Sequence, residues 1–254
     1  MINELGFQLY TIRDYLADAA SADEAFSTLK NYGYTEVHTF KTDVYPELLS
    51  KHGISVIGTH YFLDKILNDP QTTIKQHKEW NTTNIGISSL PPHARFDLQE
   101  IKTFVKKYNA AASIYAQEGF KLTYHNHQFE FMRIDGYKTT MDILYEELDP
   151  KNISFVLDTC WVAAGGSDVI DWMDKLKGRI DILHLKDTCI IRSGDNYVTD
   201  VTEVGNGNLS WDKIIQKAEE IGVKHYVVEQ DRNWTNTSLD SLKISANFLE
   251  KYRK

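Results

Sequence analysis

The stretch Lys121-Leu-Thr-Tyr-His125-Asn-His127-Gln-Phe-Glu130-Phe131 decides how the chain is read, together with Phe155-Val-Leu-Asp158-Thr-Cys-Trp161 and Asp181-Ile-Leu-His184-Leu-Lys186-Asp187. Each is an apolar, partly β-branched run that breaks into His, Asp, Glu or Lys at its C-terminal end. That is the pattern of a buried strand emerging beside polar groups. Barrel and open-sheet enzymes keep their chemistry at such ends.

Outward from there, short β-type runs alternate with longer helical ones. Strands are expected at Leu5–Tyr10, Glu36–Phe40, Ser55–His60, Asn84–Ser88, Lys121–Asn126, Ser154–Asp158, Asp181–Lys186 and His225–Glu229. Helices are expected near Ala22–Tyr32, Tyr45–His52, Pro70–Trp80, Asp97–Glu118, Thr140–Glu147, Val169–Leu176, Trp211–Ile221 and Leu239–Tyr252. Gly33, Gly53, Gly119 and Gly222 sit where helices would stop, and Ser21, Asp97, Ser210 and Ser238 are candidate N-caps. Strand–helix alternation calls for parallel strands with right-handed crossovers, and eight such units fit a closed (β/α)₈ TIM barrel spanning residues 1–254 as one domain. The longest irregular piece, Thr188–Leu209, follows the seventh strand and reads as a substrate-covering loop.

The formal net charge of −8, without any Lys/Arg run, argues against nucleic acid as a partner. No basic segment followed by an apolar one opens the chain, and no apolar run is long enough to span a bilayer. Cys160 and Cys189 are the only cysteines, which disfavours a disulfide scaffold or zinc knuckle. A cytoplasmic enzyme with reduced thiols, a small-molecule substrate and no membrane partner is the expectation. A homodimer or homotetramer suits an acidic barrel of this size.

The polar residues nearest the late strand ends are His125 or His127, Asp158, His184 and Glu229. In a barrel they converge at the mouth. Imidazoles mixed with carboxylates suit one divalent ion, Mn²⁺, Zn²⁺, Co²⁺, Fe²⁺ or Mg²⁺, better than Ca²⁺. The structural alternatives are that Asp158 caps the following turn, that Glu229 and Asp231 lie in a solvated loop, and that Lys186 pairs with Asp187. Tyr10, His60, Trp161 and Trp234 are candidates for the walls of a sugar pocket, and Arg13 for an anionic group. For the aromatics, core packing is the competing role.

Taken in order, these segments resemble the xylose-isomerase-like TIM-barrel sugar (phosphate) isomerase/epimerase family, in the branch with a Tyr-His-Asn-His-x-Phe-Glu-Phe stretch. The resemblance starts at Leu5-Gly-Phe-Gln-Leu-Tyr-Thr-Ile-Arg13. It runs through Gly33-Tyr34-Thr-Glu36-Val, Tyr124–Phe131, Leu157-Asp158-Thr, Ala164-Gly165-Gly166, His184-Leu-Lys186-Asp187 and Val204-Gly205-Asn-Gly207 to Val228-Glu229-Gln-Asp231. It implies a metal held by a Glu after the fifth strand, an Asp after the sixth, a His after the seventh and a Glu after the eighth. The last three fall on Asp158, His184 and Glu229. His125 stands 33 residues before Asp158, in the place of the first. The fourth ligand is therefore His125, with His127 and Glu130 as alternatives.

By the same resemblance, the reaction is a sugar or keto-sugar isomerisation or epimerisation by proton abstraction beside a metal-polarised carbonyl. Glu229 would be the base, with Glu130, His127 and Lys186 as candidates for the opposing acid. The runner-up is β-elimination on a 3-keto-glycoside or keto-inositol at the same metal site, and the third reading is a sugar-binding barrel without turnover. The related DNA-repair branch needs a His three residues after the sixth-strand Asp, where this chain has Trp161. Beyond Gly205-Asn-Gly207 there is no glycine-rich phosphate cradle.

Overall fold

The computed structural model describes residues 1–40 and 45–254. Twelve strands occur in it: β1 Leu5–Gln8, β2 Tyr34–Thr39, β3 Ser55–His60, β4 Asn84–Ile87, β5 Lys121–His125, β6 Arg133–Asp135, β7 Lys138–Thr139, β8 Ile153–Asp158, β9 Ile180–Leu185, β10 Asp187–Ser193, β11 Asn196–Thr202 and β12 His225–Val228. Eight of them close a barrel in the order β1-β12-β9-β8-β5-β4-β3-β2, all pairs parallel. This is the (β/α)₈ barrel that the strand–helix alternation predicts. The other four strands form two antiparallel hairpins outside it.

Two apolar layers hold the barrel. The larger lies between strands and helices; on the helix Leu98–Gln117, for instance, Ile101, Phe104, Val105, Tyr108, Ala112 and Tyr115 recur at helical spacing and are buried. Asp97 starts that helix by accepting from the amides of Gln99 and Glu100. The smaller layer is a plug of Ile57, Val156, Ile182 and Val227. Two residues further along β8 and β9, and just beyond the end of β12, come Asp158, His184 and Glu229. Side chains two apart share a face of a strand, so burying the plug aims these three groups together above it.

The expected strands agree with the observed ones to within two residues, and three of the helix ends are capped differently. Asp18, not Ser21, caps Ala19–Asn31, and Thr237, not Ser238, caps Ser238–Leu249. Ser210 occupies the cap position of Trp211–Ile221 without a side-chain hydrogen bond. Two short helices, Leu63–Asn68 and Thr159–Ala164, are additional.

The segment 188–209 is not an irregular lid. Most of it is the hairpin β10–β11, in register from Asp187↔Thr202 to Ser193↔Asn196 across a two-residue turn at Gly194-Asp195, with Gly194 at φ +62°. Its base is tied down by Glu203, which is 3% exposed. That carboxylate accepts from the Ser241 hydroxyl (2.7 Å), the Thr202 hydroxyl (3.0 Å), the Thr235 amide (3.1 Å) and the Asn206 side chain (3.2 Å). Burial opposes its charge, but these donors, Ser241 first, hold its pKa at about 2 against an ordinary 4.5.

A depressed carboxyl pKa stabilises the fold above the unfolded value, and that contribution is lost as pH falls through the folded one. Glu203→Gln is therefore expected to cost about 2 kcal/mol at neutral pH, with the gap to wild type narrowing on acidification below 4.5. Denaturant midpoints at pH 7 and pH 3 measure it. A gap independent of pH would refute the assignment.

Candidate active site

The site sits at the C-terminal mouth, on the plug. His125 ends β5, and its Nδ1 donates to the Ser88 carbonyl (2.9 Å), so that in the neutral ring Nε2 is the acceptor. Nε2 faces Asp158 Oδ2 at 3.5 Å and Glu229 Oε2 at 3.9 Å. Nδ1 of His184, on β9, lies 2.9 Å from Glu229 Oε2. One ligand-type atom from each of His125, Asp158, His184 and Glu229 falls within 4.8 Å of the others, and all four residues are buried. Asp158 caps the following turn, as one of the roles weighed for it has it: Oδ1 accepts from the Trp161 amide (2.9 Å) and caps Thr159–Ala164, while Oδ2 faces the cluster.

Among the described residues, His125 Nε2 and Asp158 Oδ2 are buried without any hydrogen-bond partner. Buried polar atoms are ordinarily satisfied. Orphans converging with two further imidazole and carboxylate atoms fit a divalent cation of the Mn²⁺, Zn²⁺, Co²⁺ or Fe²⁺ type.

Above the cluster opens a cavity of about 550 Å³, whose lining includes Tyr10, Phe40, His60, His127, Lys186, Glu229 and Asp231. Lys186, 1% exposed, does not pair with Asp187. Its ammonium reaches Asp231 (2.6 Å), Glu229 (3.4 Å) and Asp158 (3.5 Å), and lies 4.5 Å from the Trp161 ring centroid. Burial works against that charge, but Glu229, Asp158 and Asp231 outweigh it and raise the lysine pKa. The same contacts hold Glu229 well below the usual carboxylate range despite its own burial, Lys186 first. Glu229 and Asp231 are thus not in a solvated loop. His127 is stacked between Phe129 (centroids 5.6 Å apart) and Trp161 (5.7 Å), and burial drives its pKa to about 2.

Other expected residues stand elsewhere. Glu130 points away from the cavity: one oxygen accepts from the Tyr124 hydroxyl (2.5 Å), the other from the His127 amide (2.8 Å). Burial raises its pKa to about 7. It shapes the turn after β5 and does not oppose Glu229. Arg13 packs on Tyr10 (4.3 Å to the ring centroid) and Trp234 (5.8 Å), and donates to the carbonyls of Tyr10 and Asp231, outside the cavity lining. Trp161 backs His127 and Lys186 without lining the cavity, and no residue of β10–β11 lines it either.

Sequence reading missed three residues. Asn126 clamps the β8 end, its side chain accepting from the Asp158 amide (2.9 Å). His38 and Gln8 lie beneath His184. His38 is the penultimate residue of β2, inside the strand expected at Glu36–Phe40, so the strand-end pattern used for the late strands passes over it.

A parallel eight-stranded barrel with a mixed imidazole–carboxylate cluster at its C-terminal mouth defines the class. Residues 43–252 match the sequence model of the xylose isomerase-like TIM barrel family, and the chain belongs to that family. An inosose dehydratase from Geobacillus thermodenitrificans is 32% identical over 97 residues, 37% of this chain and 31% of the relative, so the similarity spans less than a third of the relative's length. A sugar phosphate isomerase/epimerase from Parabacteroides distasonis superposes with a TM-score of 0.81 at 20% identity, covering 98% of both chains. The IOLI protein, solved with a zinc atom bound, superposes with a TM-score of 0.68 at 19% identity, covering 96% of this chain and 95% of that one. At these identities the structural likeness is one of fold. No helix among the described residues is long and apolar enough to cross a membrane.

Proposed function

We propose that this barrel is a metal-dependent lyase acting beside the ketone of a cyclic polyol such as a keto-inositol, with His125, Asp158, His184 and Glu229 holding one divalent ion. The observation that carries the reading is the convergence of four ligand atoms, two of them orphaned, on the floor of the cavity. When bound, the ion supplies Lewis-acid polarisation of a ketone oxygen. Glu229, kept ionised by Lys186 and open to the cavity, takes the proton from the carbon next to the ketone. A hydroxyl on the following carbon then leaves as water by taking up the proton that Glu229 has just removed, which returns the carboxylate to its starting state. The raised pKa of Lys186 suits it to neutralise the departing oxygen by charge rather than by giving up its proton, and His127 lines the same wall.

Elimination is favoured over epimerisation for a structural reason. An epimerase of the resembled kind returns the proton from a second carboxylate on the opposite face. Here Glu130 is occupied by Tyr124 and the His127 amide, and Asp231 is held by Lys186. The partial similarity to an inosose dehydratase supports the same choice.

The test is NMR in D₂O of a keto-inositol with the Mn²⁺-loaded protein. Loss of the α-proton together with an enone or enediol product is expected. Deuterium uptake without loss of water would favour an isomerase or epimerase. With neither, on keto-inositols or free ketohexoses, the lyase reading fails and a sugar-binding barrel becomes the better one.

A further inference from the structure

The second ring nitrogen of His184 turns away from the ligand cluster and meets His38 Nδ1 at 2.9 Å. One of the two nitrogens must carry the shared proton, and Gln8 decides which. Its Oε1 accepts the Tyr10 amide (3.2 Å), so its NH₂ end is the one facing His38 Nδ1, at 3.4 Å. An amide NH₂ can only donate. His38 Nδ1 is therefore an acceptor, its lone pair shared between a close donor and a more distant one, and the close donor is His184 Nε2–H.

This chain of donors fixes the opposite side of the His184 ring. With its proton on Nε2, Nδ1 is left as a bare lone pair 2.9 Å from the Glu229 carboxylate. A lone pair and a carboxylate at that distance repel unless a cation lies between them. The tautomer is the one a metal ligand needs.

We infer that His38, aligned by Gln8, is a positioning residue that locks His184 into the metal-ligating tautomer and orientation. Ligating imidazoles usually give their second N–H to a carboxylate, carbonyl or water; here the acceptor is another imidazole, brought from the far side of the barrel. His38 is fully buried, and its own Nε2 has no hydrogen-bond partner among the described residues, its ring packing edge-on against His60 with centroids 4.3 Å apart. Packing alone would be met by a leucine there. An unsatisfied donor is tolerated because the other nitrogen serves His184.

The inference rests on the metal centre proposed above, and the experiment separates the two. Co²⁺ is titrated into metal-free wild type, His38→Leu, His38→Asn and Gln8→Glu, following the visible d–d spectrum, with circular dichroism confirming each fold. His38→Leu is expected to bind Co²⁺ about 10- to 100-fold more weakly. His38→Asn, whose carbonyl replaces the Nδ1 acceptor, should stay within about threefold of wild type. Gln8→Glu draws the proton onto His38 Nδ1, reverses the chain and should weaken binding about tenfold or more, which keeps the test valid even if His38→Leu does not fold. Unchanged affinity in Gln8→Glu or in folded His38→Leu, or His38→Asn as weak as the leucine variant, overturns the assignment of His38 alone. A wild type that takes up no Co²⁺ overturns the metal centre and this inference with it.

Discussion

Asp158→Asn is expected to leave the protein folded while emptying its site. The asparagine oxygen can still accept from the Trp161 amide and cap Thr159–Ala164, the role Oδ1 plays in the structure. What is lost is the charge of the Oδ2 position, which has no hydrogen-bond partner and faces His125 Nε2 at 3.5 Å. Losing an anionic ligand should cost more than the ten- to hundredfold that altering a supporting residue does, so divalent-ion affinity is expected to fall by at least about a hundredfold, and turnover of a keto-inositol with it. Lys186 keeps Asp231 and Glu229 as partners, so no buried cation is stranded. Elemental analysis gives the first readout and a melting curve of the metal-free protein the control. Full metal content in the variant would remove Asp158 from the site. Asp158→Ala, which also loses the cap, should be less stable by about a further 1 kcal/mol.

The largest effect on stability is expected at Asp187. Its carboxylate gathers the amides of Thr188 (2.8 Å), Gly205 (2.9 Å), Gly207 (3.2 Å) and Leu209 (3.2 Å) and the indole N–H of Trp211 (2.5 Å). The Gly205-Asn-Gly207 stretch is thus an anion cradle whose anion is internal, not a substrate phosphate. Gly205 has φ +94°, and a Cβ there would meet the Phe248 ring at 2.2 Å, so the cradle cannot be built from other residues.

Asp187→Ala strands several buried donors at once. Each costs about 1–3 kcal/mol, and partial access to water limits the sum to about 4–6 kcal/mol. At about 2–4 °C per kcal/mol, the melting temperature should fall by about 10–20 °C. A fall under 3 °C would show that the cradle is not structural. The binding cavity contains none of these donors, so metal affinity in the folded fraction should be retained.

Much of this was legible in the chain itself, because barrels write their architecture locally. A strand buried on both faces must be apolar along its length. Where it surfaces the pattern breaks, and His125, Asp158, His184 and Glu229 marked those breaks. Helix ends were less legible: Asp18 and Ser21 are both good cap residues, and in the fold the helix begins at Ala19, so that Asp18 takes the cap and accepts from the Ser21 amide. The hairpin β10–β11 was missed because its strands are too polar to read as core, and its pairing depends on the Gly194-Asp195 turn.

The sequence by itself determined the order of strands and helices, and which strand ends carry imidazoles and carboxylates, since both follow from period and punctuation. Only the tertiary structure decided how those groups are used. Neighbours in sequence part company: Glu130 turns to Tyr124 while His127 faces the cavity, and Lys186 reaches Asp231 while Asp187 is claimed by the glycine amides. Strangers in sequence meet, as His38 does His184 across 146 residues. The reason is that a buried charge or donor takes whichever partner the closed barrel brings within hydrogen-bonding distance, and separation along the chain has no bearing on that distance.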